Sequence, residues 1–165
     1  MAVLTAVALI VFIIEAQIPM PLPIPGAKLG LANAVTLFAL FYGRGKDSSA
    51  PGLTTADVFM IFICRIILGA VFAGRPAAFI YSLAGGLLAF AAQAVVKKLV
   101  TDKQIWACGA VGAVFHNVGQ IIAAMFVTGT PSIAALLPAL TAVGVVTGVF
   151  TGLVAQFSVG RLRGK

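Results

Sequence analysis

The chain has 165 residues, of which 61% are hydrophobic and only 9% are charged, and its formal net charge is +7. Soluble domains carry about 25% charged residues, so this composition excludes an ordinary soluble domain and indicates a protein whose solvent is lipid. The cations lie in the gaps between apolar runs, which argues against a nucleic-acid partner and favours their use as topology signals.

The apolar runs predict membrane-spanning helices. A transmembrane helix needs about 20 residues, so the chain has room for about six spans and for no separate soluble domain. The runs are continuous and about twice the length of a barrel strand, which favours helices over strands. We therefore predict one all-α transmembrane domain over residues 1–165, with helices at approximately 2–18, 28–42, 54–74, 77–97, 105–128 and 132–160.

Proline and glycine mark most of the breaks between these runs. A Pro-rich stretch at 19–25 separates the first two, Gly74-Arg75-Pro76 ends the third, and 128–131 turns the chain before the sixth. The sixth run is long enough to tilt or to begin with a re-entrant piece around Pro138.

The distribution of the cations predicts the orientation. With both termini in the cytoplasm, eight cations lie on the inner side: Arg44, Lys46, Lys97, Lys98, Lys103, Arg161, Arg163 and Lys165. Only Lys28 and Arg75 then lie outside, and Arg65 lies within a span. This positive-inside bias requires an even number of helices, and it predicts a multi-pass protein of a bacterial plasma membrane with cytoplasmic N and C termini.

Polar side chains within the predicted spans are the candidate functional residues, because burying them in lipid is costly. His116 and Gln120 are four residues apart and share a helix face, which Asn117 adjoins. We expect these groups to meet others of the second and third spans around one cavity that opens outward. The candidate solute-binding residues are Lys28, Asn33, Arg65, His116, Asn117 and Gln120, with Glu15 as a charge partner. Because three of them are cationic or can become so, the set favours a small anion such as a phosphate, diphosphate or carboxylate.

Each candidate also has a structural interpretation, and the sequence leaves both open. Arg65 can pair with Glu15 between the first and third helices. His116 can be a hydrogen-bonding residue of the bundle, Lys28 can mark the membrane surface, and Asn33 can bond to backbone carbonyls.

Small residues recur four positions apart on two of the predicted helices. Ala2 and Ala6 do so on the first helix, and Gly144, Gly148 and Gly152 do so on the sixth. Such stripes allow helices to approach closely, either within the bundle or against a partner subunit.

The sequence lacks the motifs that metal binding, ATP hydrolysis or prenyl diphosphate synthesis would need. Cys64 and Cys108 lie inside apolar runs without ligand spacing, so we interpret both as buried hydrophobes. No Gly-x-x-x-x-Gly-Lys loop occurs, so ATP hydrolysis would fall to other subunits. Prenyl diphosphate synthesis needs paired Asp-rich clusters to hold magnesium ions, whereas Asp47, Asp57 and Asp102 occur singly. We therefore expect a protein that is not an enzyme by itself and that uses no metal or cofactor.

Four segments carry a resemblance to a known family: PLPIPGAKLGLANAVTL at 21–37, CRIILG at 64–69, SLAGGLL at 82–88 and GAVFHNVGQ at 112–120. In this order, over nearly the whole chain, they resemble the Gx transporter family, also labelled heptaprenyl diphosphate synthase component I. That family is similar to the substrate-binding S components of energy-coupling factor (ECF) transporters. These are six-helix membrane proteins that dock on a transmembrane coupling subunit powered by ATPases.

The resemblance implies a membrane S component that binds a small, anionic, vitamin- or isoprenoid-related solute in an outward-facing pocket. It also implies that Ala2 and Ala6 belong to the docking pattern, and that the six candidate residues are this sequence's versions of the family's polar motif positions. The alternative that the label suggests is a non-catalytic membrane accessory subunit of a heptaprenyl diphosphate synthase.

Overall fold

The computed structural model describes residues 2–17, 31–42, 53–73 and 76–163. These residues form six α-helices: α1 Ala2–Gln17, α2 Asn33–Tyr42, α3 Thr55–Ala73, α4 Pro76–Val96, α5 Ile105–Thr128 and α6 Leu137–Arg163. Short 3₁₀ turns, Asp102–Gln104 and Pro131–Leu136, precede α5 and α6. No strand occurs within the described ranges, so the prediction of an all-α protein is confirmed for them.

The helices differ in how far they can reach across a bilayer. Four of them, α3 to α6, are long and apolar enough to span a membrane. The apolar helices α1 and α2 have 16 and 10 residues, which correspond to about 24 and 15 Å. The hydrocarbon core is about 30 Å thick. The predicted count of six full spans and the cytoplasmic position of both termini therefore stay predictions.

Two of the predicted boundaries move in the structure. The second helix begins at Asn33 instead of residue 28, after a turn at 31–32, and Lys28 lies outside the described residues. The sixth helix begins at Leu137 after its 3₁₀ turn. Pro138 therefore lies in the first turn of α6, where the N–H that proline lacks has no intrahelical partner to lose.

The short helix α2 holds the bundle together. Helices α1, α3, α4, α5 and α6 pack in that order as an arc, and α2 packs against all five. Its side chains Leu37, Leu40 and Phe41 are at most 1% exposed. They form the main apolar core with residues of three other helices: Val58, Ile61, Ile105, Cys108, Ala155 and Val159.

Helix α5 packs between α4 and α6 through glycines. A Cβ at Gly148 of α6 would lie 2.6 Å from the carbonyl oxygen of Gly109, and one at Gly119 would lie 2.7 Å from that of Ala84 in α4. Neither position can hold a side chain without moving a backbone. The glycine stripe of α6 therefore serves packing within the bundle.

Candidate functional site

Buried polar side chains meet at the start of α2. The Nη2 of Arg65, in the middle of α3, donates a hydrogen bond to the Oδ1 of Asn33 at 3.1 Å. Near the end of α1, the Oε2 of Glu15 accepts a hydrogen bond from the backbone N–H of Ala32 at 3.4 Å. Arg65 and Glu15 are each only 4% exposed. Arg65 is thus anchored to the first residue of α2, and Glu15 to the residue just before it.

The charge of Arg65 is partly balanced within the bundle. The Glu15 carboxylate is close enough for its negative charge to act on the guanidinium. The Cζ of Arg65 lies 5.5 Å from the centroid of the Phe62 ring, within the range of a cation–π contact. The Nε of Arg65 is buried and has no hydrogen-bond partner among the described residues. The guanidinium therefore keeps one donor that a ligand can use.

Helix α5 presents its predicted polar residues to two different neighbours. His116 and Gln120 are buried against α4, where a Cβ at Gly85 would lie 2.7 Å from the His116 carbonyl oxygen and 2.8 Å from the Gln120 Cγ. Asn117 points to α6, and its Nδ2 donates to the carbonyl oxygen of Leu140 at 2.6 Å. His116 and Gln120 thus share a face as their spacing predicts, whereas Asn117 connects α5 with another helix.

A small internal void joins part of this set. Its volume is about 10 Å³, and its walls include Asn33 of α2, Gln93 of α4, His116 of α5 and Thr151 of α6. A space of this size holds a single water molecule. The structure therefore brings Asn33 and His116 to one space and links Arg65 to it through Asn33.

The side-chain amide of Gln120 is buried and lacks hydrogen-bond partners among the described residues. The residue is 4% exposed, and neither its amide oxygen nor its amide nitrogen has a hydrogen-bond partner in the part of the chain that the structure describes. An unsatisfied buried amide costs about 1–3 kcal/mol. A residue retained at such a cost is a reasonable candidate for contact with something polar that enters the bundle.

Thr151 and Gln93 border the void although sequence reasoning did not include them in the site. The hydroxyl of Thr151 donates to the Gly148 carbonyl of its own helix at 3.1 Å, a common pattern that gives no sign of a site.

The remaining predictions concern partner docking and metal binding. Ala2 and Ala6 are exposed on α1, which leaves them accessible for docking. Groups of three or more His, Cys, Asp or Glu able to hold a metal ion do not occur among the described residues.

The fold and this polar layer define a class: an all-helical protein with membrane-length helices around a short central helix that begins at buried polar residues. Residues 4–158 match the family model described as Heptaprenyl diphosphate synthase component I. The chain therefore belongs to the heptaprenyl diphosphate synthase component I family, which confirms the resemblance seen in its motifs. No curated protein and no solved structure shows a significant match.

Proposed function

We propose that this protein is a membrane solute-binding component, of the S-component type, that captures a small anionic solute at the start of α2. The observation that carries the proposal is the Arg65–Asn33 contact, which places a buried guanidinium beside the N-terminus of a helix that packs against the other five. A cation buried within a membrane bundle is costly, and in membrane proteins such residues commonly mark solute or ion pathways.

The length of α2 supports this location. Its 10 residues cover about 15 Å, half the thickness of the hydrocarbon core. The half toward Tyr42 is tightly packed, with Leu40 and Phe41 fully buried. We infer that Tyr42 lies at one membrane surface, which puts the polar start of α2 about 15 Å deeper, near the bilayer centre. The positive end of the helix dipole at Asn33 adds to the charge of Arg65 and favours an anion.

Binding must open the site. Because the void beside Asn33 and His116 measures about 10 Å³, we infer that the helices around it move apart to admit a vitamin-sized solute. We infer that the solute replaces Asn33 as an acceptor for Arg65 and uses the free Nε donor as well. Such an exchange would let the protein close over the same charged group with or without solute.

The proposed partners are a transmembrane coupling subunit and its ATPases. The small residues Ala2 and Ala6 are exposed on α1, where they permit close approach of a partner helix. In this arrangement the chain supplies recognition, and the other subunits supply the energy for uptake.

A second candidate function is favoured by the family match. As its description suggests, the chain would be a non-catalytic membrane subunit of a heptaprenyl diphosphate synthase. In that case the chain would act through contact with a soluble synthase, and the Arg65 layer would only hold helices together.

One purification experiment separates the two functions. The protein is extracted from its native membrane in mild detergent, and the retained small molecules and proteins are identified by mass spectrometry. We expect an anionic solute that is retained by the wild type and by Lys98→Ala, an exposed-cation control, but lost from Arg65→Met. Co-purification of a coupling subunit with ATPases agrees with uptake. Solute-free protein that carries a prenyl synthase would overturn our first proposal and support the second.

A further inference from the structure

A second polar region lies at the other end of the bundle, outside the Arg65 layer. The 3₁₀ turn Asp102–Gln104 packs against the last turns of α6. Between them is a groove of about 510 Å³, whose walls include Lys103, Gln156, Phe157 and Arg161. This groove is about 50 times as large as the void at the start of α2, which measures about 10 Å³.

The groove lies beside the last turns of α6, a helix that is long and apolar enough to span a membrane. Phe157 is 70% exposed and faces outward from α6, whereas the residues of the 3₁₀ turn are exposed and hydrophilic. Trp106, the second residue of α5, is 42% exposed, and tryptophan is enriched at the membrane–water interface. The groove therefore joins an exposed apolar side to an exposed polar side, as a site at the membrane surface would require.

The positive charge of the groove favours binding of an anion. Lys103 and Arg161 lie in the groove with a single acid, Asp102, so the lining keeps an excess of positive charge. Lys97 and Lys98 follow the end of α4 at the same end of the bundle and raise the positive potential further. A flexible ammonium and a planar guanidinium together can contact several oxygens of one phosphate group.

Gln156 adds a neutral polar contact. Its Oε1 is buried and has no hydrogen-bond partner among the residues described. Turning this amide toward the groove therefore breaks no hydrogen bond of the oxygen, and the oxygen becomes able to accept a hydrogen bond from a hydroxyl group.

We propose that this groove binds the headgroup of an anionic phospholipid, with the phosphate at Lys103 and Arg161, a glycerol hydroxyl at Gln156 and an acyl chain along Phe157. Basic pockets between transmembrane helices at the membrane surface bind anionic headgroups by this chemistry. The lipid would hold the α4–α5 connection against α6 at the membrane surface.

Native mass spectrometry of the detergent-purified full chain tests the site, with phosphatidylglycerol and phosphatidylcholine added in equal amounts. Each surface cation contributes about 1 kcal/mol to anionic-lipid binding. Lys103→Ala/Arg161→Ala should therefore weaken retention of phosphatidylglycerol by about 30-fold. The control Lys97→Ala/Lys98→Ala has the same net charge but leaves the groove intact, and it should retain most of the lipid.

Two further variants control for misfolding and test the proposed contact at Gln156. The exchange Lys103→Arg/Arg161→Lys keeps both charges and should retain phosphatidylglycerol, whereas Gln156→Leu should reduce its retention several-fold. Equal losses in the groove variant and its control would show general charge attraction and overturn the site. Equal retention of phosphatidylcholine and phosphatidylglycerol by the wild type would overturn it too.

Discussion

The Nη2 of Arg65 donates to the Oδ1 of Asn33 at 3.1 Å, and this hydrogen bond joins the middle of α3 to the first residue of α2. The two residues are 32 positions apart in the chain, and their hydrogen bond fixes the start of a short helix that packs against the other five. Because α2 has only 10 residues, its position depends on such contacts more than on its own helix propensity.

We expect Asn33→Ala and Arg65→Met to be coupled in their effects on stability. Removing Asn33 leaves a buried donor unsatisfied, so the single change should lower the free energy of unfolding. In a double-mutant cycle the interaction energy should be about 1–2 kcal/mol, measured by denaturation in detergent. Additive effects of the two substitutions would show that the hydrogen bond contributes nothing to stability.

The glycines of α6 give a prediction with an internal control. A Cβ at Gly148 would lie 2.6 Å from the Gly109 carbonyl oxygen and 2.7 Å from the Ala113 Cβ, whereas one at Gly160 would meet nothing within 4 Å. Gly148→Ala should therefore destabilise the protein by about 1–3 kcal/mol, because it forces α5 and α6 apart. Gly160→Ala should be neutral or slightly stabilising, since alanine favours helix. Similar melting temperatures for the two variants would contradict the packing described for α5.

Sequence reasoning located the long helices well because their limits are marked chemically. Pro76 begins α4 and Gly129 follows α5 with a φ of 64°, a left-handed conformation that glycine adopts easily. Sequence reasoning overestimated the length of α2, because this helix was expected to begin at residue 28 and begins at Asn33. Hydropathy counts apolar residues but does not record whether neighbouring helices surround them, and that environment determines where a short central helix can begin.

The arrangement of the candidate site depends on packing that the residue types alone do not specify. Spacing correctly placed His116 and Gln120 on one face. The direction of Asn117 depends on α6, where Gly144 leaves room for the amide: a Cβ there would collide with the Asn117 Nδ2. No periodicity in α5 contains that information. The size of the void likewise depends on how side chains of four helices pack together, which a residue pattern does not specify.

Substitution of Asn117 tests whether its side chain stabilises the bundle or binds the solute. Its amide nitrogen is already engaged with the Leu140 carbonyl, so we expect Asn117→Ala to reduce stability by about 0.6–1.7 kcal/mol. Solute affinity, measured by equilibrium binding once the retained solute is identified, should change less than it does in Arg65→Met. A large loss of affinity with unchanged stability would instead make Asn117 a direct ligand.

Gln120 should behave in the opposite way, because neither atom of its buried amide has a described hydrogen-bond partner. Gln120→Met has a similar volume and removes an unsatisfied group, so stability should stay the same or rise by about 1 kcal/mol. If the amide contacts solute, the same variant should retain less of it. A Gln120→Met protein with unchanged solute retention would remove this residue from the site and leave its burial without a functional reason.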